Sequence, residues 1–207
     1  MKRFMVSIVQ YDVTPDPYIN VTNLEKLFAI AGGRRSRFVV LPELFGVGFN
    51  YSLYPEMADH NMEMLKYLQG VARKYGFYLI AGSVAFKAVK GSKTDQYYNR
   101  SYLISPEGGV MGHYDKIHVF FQNQEDQYFI PGTKSPVFTT SYTPIGIQIC
   151  FDIRFPEVIR AMVKQGMKIL FVPAQFPHPR KEHWINLLKA RAIENQIYVI
   201  GANRIGT

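Results

Sequence analysis

A chain of 207 residues has room for one hydrophobic core of ordinary size and is short for two. With 47% hydrophobic and 19% charged residues it is neither a disordered polar chain, a collagen-like repeat nor a coiled coil, and its 14% aromatic content points to a core rich in buried rings. A lone cysteine, Cys150, rules out an internal disulfide scaffold, and the net charge of +8 brings nucleic acid or small anions into view as partners.

The basic residues are scattered, with GRRSR (33–37) and PRK (179–181) the only short clusters, which suits a basic enzyme better than a nucleic-acid surface. Apolar runs stay well short of the roughly 18 residues that span a bilayer, and MKRFMVSIVQYDV turns polar too soon for a signal peptide. The expected setting is therefore cytoplasmic, with no membrane and no nucleic acid as partner.

In chain order, RFMVSIVQ (3–10) reads as a strand, VTNLEKLFAIAG (21–32) as a helix and FVVLPE (38–43) as the next strand. A second helix over 62–76 brings Met64, Leu65, Leu68, Val71 and Ala72 near one face and ends at Gly76, a suitable C-cap. FYLIAGSVAF (77–86) is a strand. YYNRSYLIS and GVMGHYDKI, joined by Pro106-Glu107-Gly108-Gly109, form an antiparallel hairpin.

The aperiodic stretch from Gln122 to Pro136 is a long loop, a frequent carrier of function. Strands over 137–141 and 144–150, a helix over 155–166, a strand over 167–174, a helix over 183–196 and a strand over 197–203 complete the pattern. Mixed parallel and antiparallel strands with interleaved helices indicate a layered α/β fold. A four-layer α-β-β-α sandwich is compatible with it.

Three chemically useful residues fall just past predicted strands. Cys150 sits at a strand-to-helix turn, where nearby backbone N–H groups favour a thiolate and can hold an oxyanion. Glu43 closes the strand FVVLP, and Lys116 ends HYDK between Asp115 and His118. Each alone has an ordinary reading: a small buried hydrophobe, a solvated or capping carboxylate, an exposed hairpin lysine. Together they make coherent chemistry, because a glutamate can take the thiol proton and a lysine can stabilise thiolate and oxyanion.

The histidines compete weakly for a metal site. His113 and His118, like His178 and His183, are five apart, whereas helical ligands favour four, and no HExxH is present. His118 reads as a supporting or structural residue. Nucleotide-binding glycine motifs are absent, so the expectation is no metal and no cofactor.

The segments LPELFGVGF (41–49), HYDKIHVF (113–120) and ICFDIRFPE (149–157) resemble, in order and spacing, the three signature segments of the nitrilase, or carbon–nitrogen hydrolase, superfamily. The resemblance implies an α-β-β-α sandwich over residues 1–207 as a single domain, and a homodimer or higher homo-oligomer. It implies Glu43 as general base, Lys116 as oxyanion-stabilising lysine, Cys150 as nucleophile and Glu125 as an additional orienting glutamate, with the Phe151 N–H joining Lys116 at the oxyanion. Arg154, Gln175 and Phe176 are further pocket residues; for Arg154 an ion pair with Asp152 or Glu157 is an equal alternative.

FPHPRKEHWINLLKARAIENQIYVIGANRIG (176–206) is most similar to the omega-amidase-like branch, which hydrolyses amides of 2-oxo acids to ammonia and acid. Members continue past the GANRIG segment with a further strand pair and an arm, so the chain ending at Thr207 is expected to lack them and to expose a sheet edge. The expected function is hydrolysis of a small amide through a cysteine thioester. Alternatives are an N-carbamoyl or aliphatic amide hydrolase of the same superfamily, a non-catalytic binding module with this fold and, last, a nucleic-acid binder.

Overall fold

The computed structural model describes residues 3–88 and 96–206. The chain begins with β1 (Val6–Ile8), α1 (Pro17–Gly33), β2 (Phe38–Val40), α2 (Tyr54–Tyr75), β3 (Tyr78–Ile80), β4 (Val84–Lys87), β5 (Tyr97–Ile104) and β6 (Val110–Asp115). The one-turn helix α3 (Glu125–Tyr128) then leads to β7 (Val137–Thr139), β8 (Pro144–Ile147), α4 (Pro156–Lys164), β9 (Ile169–Ala174), α5 (Lys181–Asn195) and β10 (Tyr198–Asn203).

One sheet runs β1-β2-β3-β5, with the first three strands parallel and β5 antiparallel; β4 and β6 also pair antiparallel with β5. The other runs β10-β9-β8-β7, parallel except for the β7–β8 pair. Alternation along β2 shows how the layers form. Phe38 and Val40 point into the core shared with the second sheet, while Val39 and Leu41 join Leu24, Phe28, Leu68 and Ala72 of α1 and α2. At the sheet–sheet interface the Phe38 ring lies 5.1 Å from Tyr78 and 5.6 Å from Phe171, one from each sheet.

On the far face of the second sheet, a Cβ at Gly146 would lie 2.4 Å from Met162 of α4, and one at Gly201 2.5 Å from Trp184 of α5. Those two helices therefore form the fourth layer of an α-β-β-α sandwich. Among the described residues no helix is long and apolar enough to cross a membrane.

Three elements differ from the sequence reading. Helix α1 starts at Pro17 because Asp16 Oδ1 accepts from the N–H groups of Tyr18 and Ile19 at 2.8 and 3.3 Å, an N-cap with proline in the first turn. Helix α2 begins eight residues before the expected start at Met62, since Tyr54 and Met57 pack into a separate cluster with Leu44, Val47 and Phe129.

The strand over 77–86 breaks at Ala81–Ser83. Gly82 has φ +48, and a Cβ there would sit 2.1 Å from the Pro42 carbonyl oxygen. That close approach, together with the Leu44 N–H donating to Ser83 Oγ at 2.9 Å, seats the loop carrying Glu43 against the broken strand.

Candidate active site

Glu43 follows β2 on a turn in which Leu44 takes φ +45, and its carboxylate is fully buried. A buried carboxylate needs partners for both oxygens. Oε1 accepts from Lys116 Nζ at 2.8 Å and from Asn99 Nδ2 at 2.9 Å; Oε2 accepts from the Gln175 N–H at 3.0 Å. The Glu43 carbonyl oxygen also accepts from Gln175 Nε2 at 2.7 Å, so residues of both sheets fix this side chain.

Lys116 follows β6 and is 1% exposed, not the open hairpin lysine of the ordinary reading. Its Nζ donates to Glu43 Oε1 and Glu125 Oε1, both at 2.8 Å. Burial by itself pulls the ammonium pKa down, but Glu43 and Glu125 outweigh it and hold Lys116 charged, well above its ordinary value. Glu125 opens α3 inside the loop flagged as aperiodic, and its Oε2 accepts from the Phe120 N–H at 3.1 Å. Burial raises its pKa, Lys116 opposes, and the nearby Glu43 carboxylate adds to the rise, leaving it at about 7.

Asn99 was not singled out by the sequence. It faces inward on β5 between Tyr97 and Ser101, places its amide on Glu43, and its carbonyl oxygen accepts the Lys116 N–H at 2.9 Å. The inward, polar position in an alternating strand is the signal that could have found it.

Cys150 lies two residues past Gln148, whose N–H still bonds to the β9 backbone at Phe171 O. It has φ +47, and the chain then tightens into a 3-10 turn over Cys150–Arg154. The thiol is buried, and the Glu43 carboxylate acts on it directly. Burial and then the Glu43 carboxylate push its pKa well above the usual thiol range, with Lys116 only partly offsetting them. The expectation that the turn favours a thiolate is therefore corrected: these surroundings keep a neutral thiol.

The turn is anchored by Asp152, which is fully buried. Its Oδ2 accepts from Tyr114 Oη at 2.8 Å and the Ile149 N–H at 3.1 Å. Its Oδ1 accepts from the His118 N–H and faces His118 Nδ1, both at 2.8 Å. The His118 ring stacks on Phe155 at 3.6 Å. Asp152 thus ties the turn after Cys150 to the segment after Lys116, and it was missed as a site residue. With its oxygens so occupied, it forms no ion pair with Arg154; nor does Glu157 among the described residues.

Arg154 instead lies over the rings of Phe151 and Phe176, at 5.7 and 5.4 Å, with Nη2 3.3 Å from His183 Nδ1. Phe176 is pinned by Asn203, which accepts its N–H at 2.6 Å and donates to its carbonyl at 3.0 Å. Glu125, Cys150, Phe151, Arg154, Gln175 and Phe176 all line one cavity of about 1120 Å³, with Glu43 and Lys116 behind its wall. Glu125 is its sole acidic lining residue among those described, and Arg154, Arg180, Lys181 and Arg204 make the mouth basic. Among the described residues no three His, Cys, Asp or Glu side chains gather as a metal site.

A thiol, a carboxylate and an ammonium brought together in a cavity invite comparison with known hydrolases. The chain is 34% identical over 207 residues to 2-oxoglutaramate amidase of Bacillus subtilis, spanning 99% of this chain and 78% of that one. It is 32% identical over 212 residues to an omega-amidase of Xenopus tropicalis, covering 98% of this chain and 75% of the relative.

Among solved structures, a CN-hydrolase superfamily protein of Xanthomonas campestris with an arsenic adduct in its active site superposes with TM-score 0.89 at 28% identity, over 100% of this chain and 78% of the other. A Glu→Gln mutant of the amidase from Nesterenkonia sp. AN1, its active site cysteine modified by acrylamide, gives TM-score 0.86 at 25% identity, over 99% and 80%. The sequence profile of carbon–nitrogen hydrolases matches residues 5–207. With fold, relatives and profile in agreement, the chain belongs to the carbon–nitrogen hydrolase family.

Proposed function

We propose that this protein is an amidase that hydrolyses the carboxamide of a small carboxylate-bearing acid, of the 2-oxo acid type, through a thioester on Cys150. The observation that carries the reading is the buried Lys116–Glu43 ion pair, whose carboxylate acts on the thiol of Cys150, a residue that lines the cavity.

Because the thiol is held neutral, attack requires a base at the moment of bond formation. Glu43 takes the thiol proton as sulfur adds to the amide carbon. Lys116 has three N–H donors, of which two are on Glu43 and Glu125, and the third serves the oxyanion together with the Phe151 N–H. Collapse expels ammonia, which takes its proton from Glu43; water, deprotonated by Glu43, then cleaves the thioester to acid and free thiol. Glu125 holds Lys116 in place. The basic mouth, Arg154 included, suits a substrate carboxylate.

The test is ammonia release from 2-oxoglutaramate, with N-carbamoyl and neutral aliphatic amides alongside, for wild type and Cys150→Ala. Release from 2-oxoglutaramate that vanishes in Cys150→Ala while the circular dichroism spectrum is unchanged is the expected result. Full turnover by the alanine variant overturns the mechanism, and preference for a carbamoyl or neutral amide overturns the substrate class.

A further inference from the structure

A smaller recess of about 350 Å³ opens off the mouth of the large cavity, lined by Phe120, Phe121, Gln122, Phe151, Arg154 and Arg180. Its wall is a pair of rings in contact, Phe120 and Phe151, with centroids 4.9 Å apart. Each ring carries one guanidinium: Arg180 lies 5.2 Å from Phe120 and Arg154 5.7 Å from Phe151. A guanidinium resting on a ring keeps its in-plane N–H fork available to a ligand. Among the described residues no carboxylate lines the recess. Arg180 Nη2 donates instead to the side-chain carbonyl oxygen of the exposed Gln122, a neutral acceptor on the opposing loop.

We infer that this recess is a carboxylate subsite, in which Arg154 and Arg180 together take the carboxylate of the acyl chain while its amide lies at Cys150. Gln122 is the placeholder that the carboxylate displaces, because an ionised acceptor binds a guanidinium more strongly than an amide oxygen does. The identity of the ligand rests on the amidase reading above. Arg180 is then a specificity residue that never meets the reacting atoms, and an exposed segment, Phe121–Asn123, moves when substrate binds.

Binding can be read without turnover, because Trp184 is the only tryptophan of the chain and lines the large cavity. Its fluorescence is titrated with 2-oxoglutarate in wild type, Arg180→Met, Arg180→Lys and Gln122→Ala, and steady-state kinetics are run on 2-oxoglutaramate and neutral butyramide. Loss of a charged hydrogen-bonded partner weakens 2-oxoglutarate about 10-fold to about 100-fold in Arg180→Met, with a matching rise in KM for 2-oxoglutaramate and little change in kcat. Arg180→Lys recovers part of the loss, Gln122→Ala binds at least as tightly as wild type, and butyramide kinetics stay unchanged.

Equal 2-oxoglutarate affinity in wild type and Arg180→Met, absence of binding to wild type, or an equal loss on butyramide overturns the subsite. An Arg180-dependent titration in a protein that turns over no amide would sink the amidase reading and leave the subsite standing. Normal turnover indifferent to Arg180 does the reverse.

Discussion

Asn99 donates its side-chain amide to Glu43 Oε1 at 2.9 Å, and through its backbone carbonyl it also holds the N–H of Lys116, the other donor to that same oxygen. Glu43 and Lys116 are thus registered by one residue in the middle of β5. Asn99 Oδ1 itself has no partner among the described residues. Replacing Asn99 by alanine leaves Glu43 free to turn away from Cys150. We expect kcat to fall about 10-fold or more and the melting temperature to drop by several degrees, since a hydrogen bond to a charged group carries about 1.5–3 kcal/mol. The rate of Cys150 alkylation by iodoacetamide should fall in parallel; an unchanged rate would show that Asn99 does not position the base.

Lys116 neutralises two buried carboxylates, so removing it is more damaging than its single charge suggests. Lys116→Met leaves Glu43 and Glu125 facing each other without a counter-ion, at a cost of about 3–5 kcal/mol near pH 8. The sign of the pH dependence follows from Glu125, pushed up to about 7 by burial even with the lysine opposite. Without Lys116 the folded state binds protons that the unfolded chain, with carboxyl pKa values near ~4.3, does not. The variant therefore gains stability as pH falls from 8 towards 5.5. Urea denaturation at the two pH values checks this, and an equal deficit at both would contradict it.

Glu125 should also leave its mark on the rate. With its pKa at about 7, protonation below neutrality weakens its hold on Lys116, and kcat/KM for a neutral amide should decline on that limb. In Glu125→Gln the overall rate drops and the limb near 7 disappears from the profile. A limb that persists unchanged in this variant belongs to another group.

Cys150 pays for its position with a backbone strained at φ +47. Glycine accepts that conformation freely, whereas alanine does not. Of two inactive variants, Cys150→Gly should be more stable than Cys150→Ala by about 1 kcal/mol, the reverse of the usual order in regular structure. Paired thermal melts decide it, and the usual order would mean the turn relaxes when the thiol is gone.

Much of this site can be read in the sequence because chemistry-bearing residues fall at the ends of apolar runs. Glu43, Lys116 and Cys150 each follow a strand, and the alternation of strands and helices indicates a layered fold before any coordinate is known. Residues that act through others are harder to see. Asn99 and Asp152 carry no motif of their own; one is an ordinary polar residue in a hairpin, the other is masked by the adjacent Arg154, with which an ion pair is the simpler expectation.

The break at Gly82 is hidden for another reason. FYLIAGSVAF is apolar on both sides of the glycine, and only the approach of the Pro42 carbonyl from a distant loop forbids a side chain there. Likewise the early start of α2 depends on a cluster formed with Leu44 and Phe129, contacts distant in sequence.

The placement of Asp152 has a consequence for how the protein comes apart. Glu43 and Lys116 belong to one sheet and Cys150 to the other, and Asp152 reaches across to Tyr114 and His118 from the turn that carries Cys150. Any opening that separates the sheets must break those bonds, so the amides of Ile149 and His118, both held by this carboxylate, should exchange their hydrogens with the same protection as the strands of the sheet–sheet interface. Half-open chains then carry a thiol released from the burial and the Glu43 carboxylate that hold it neutral in the closed protein, so closing the two halves both assembles the site and withdraws an ordinary, alkylatable cysteine from solvent.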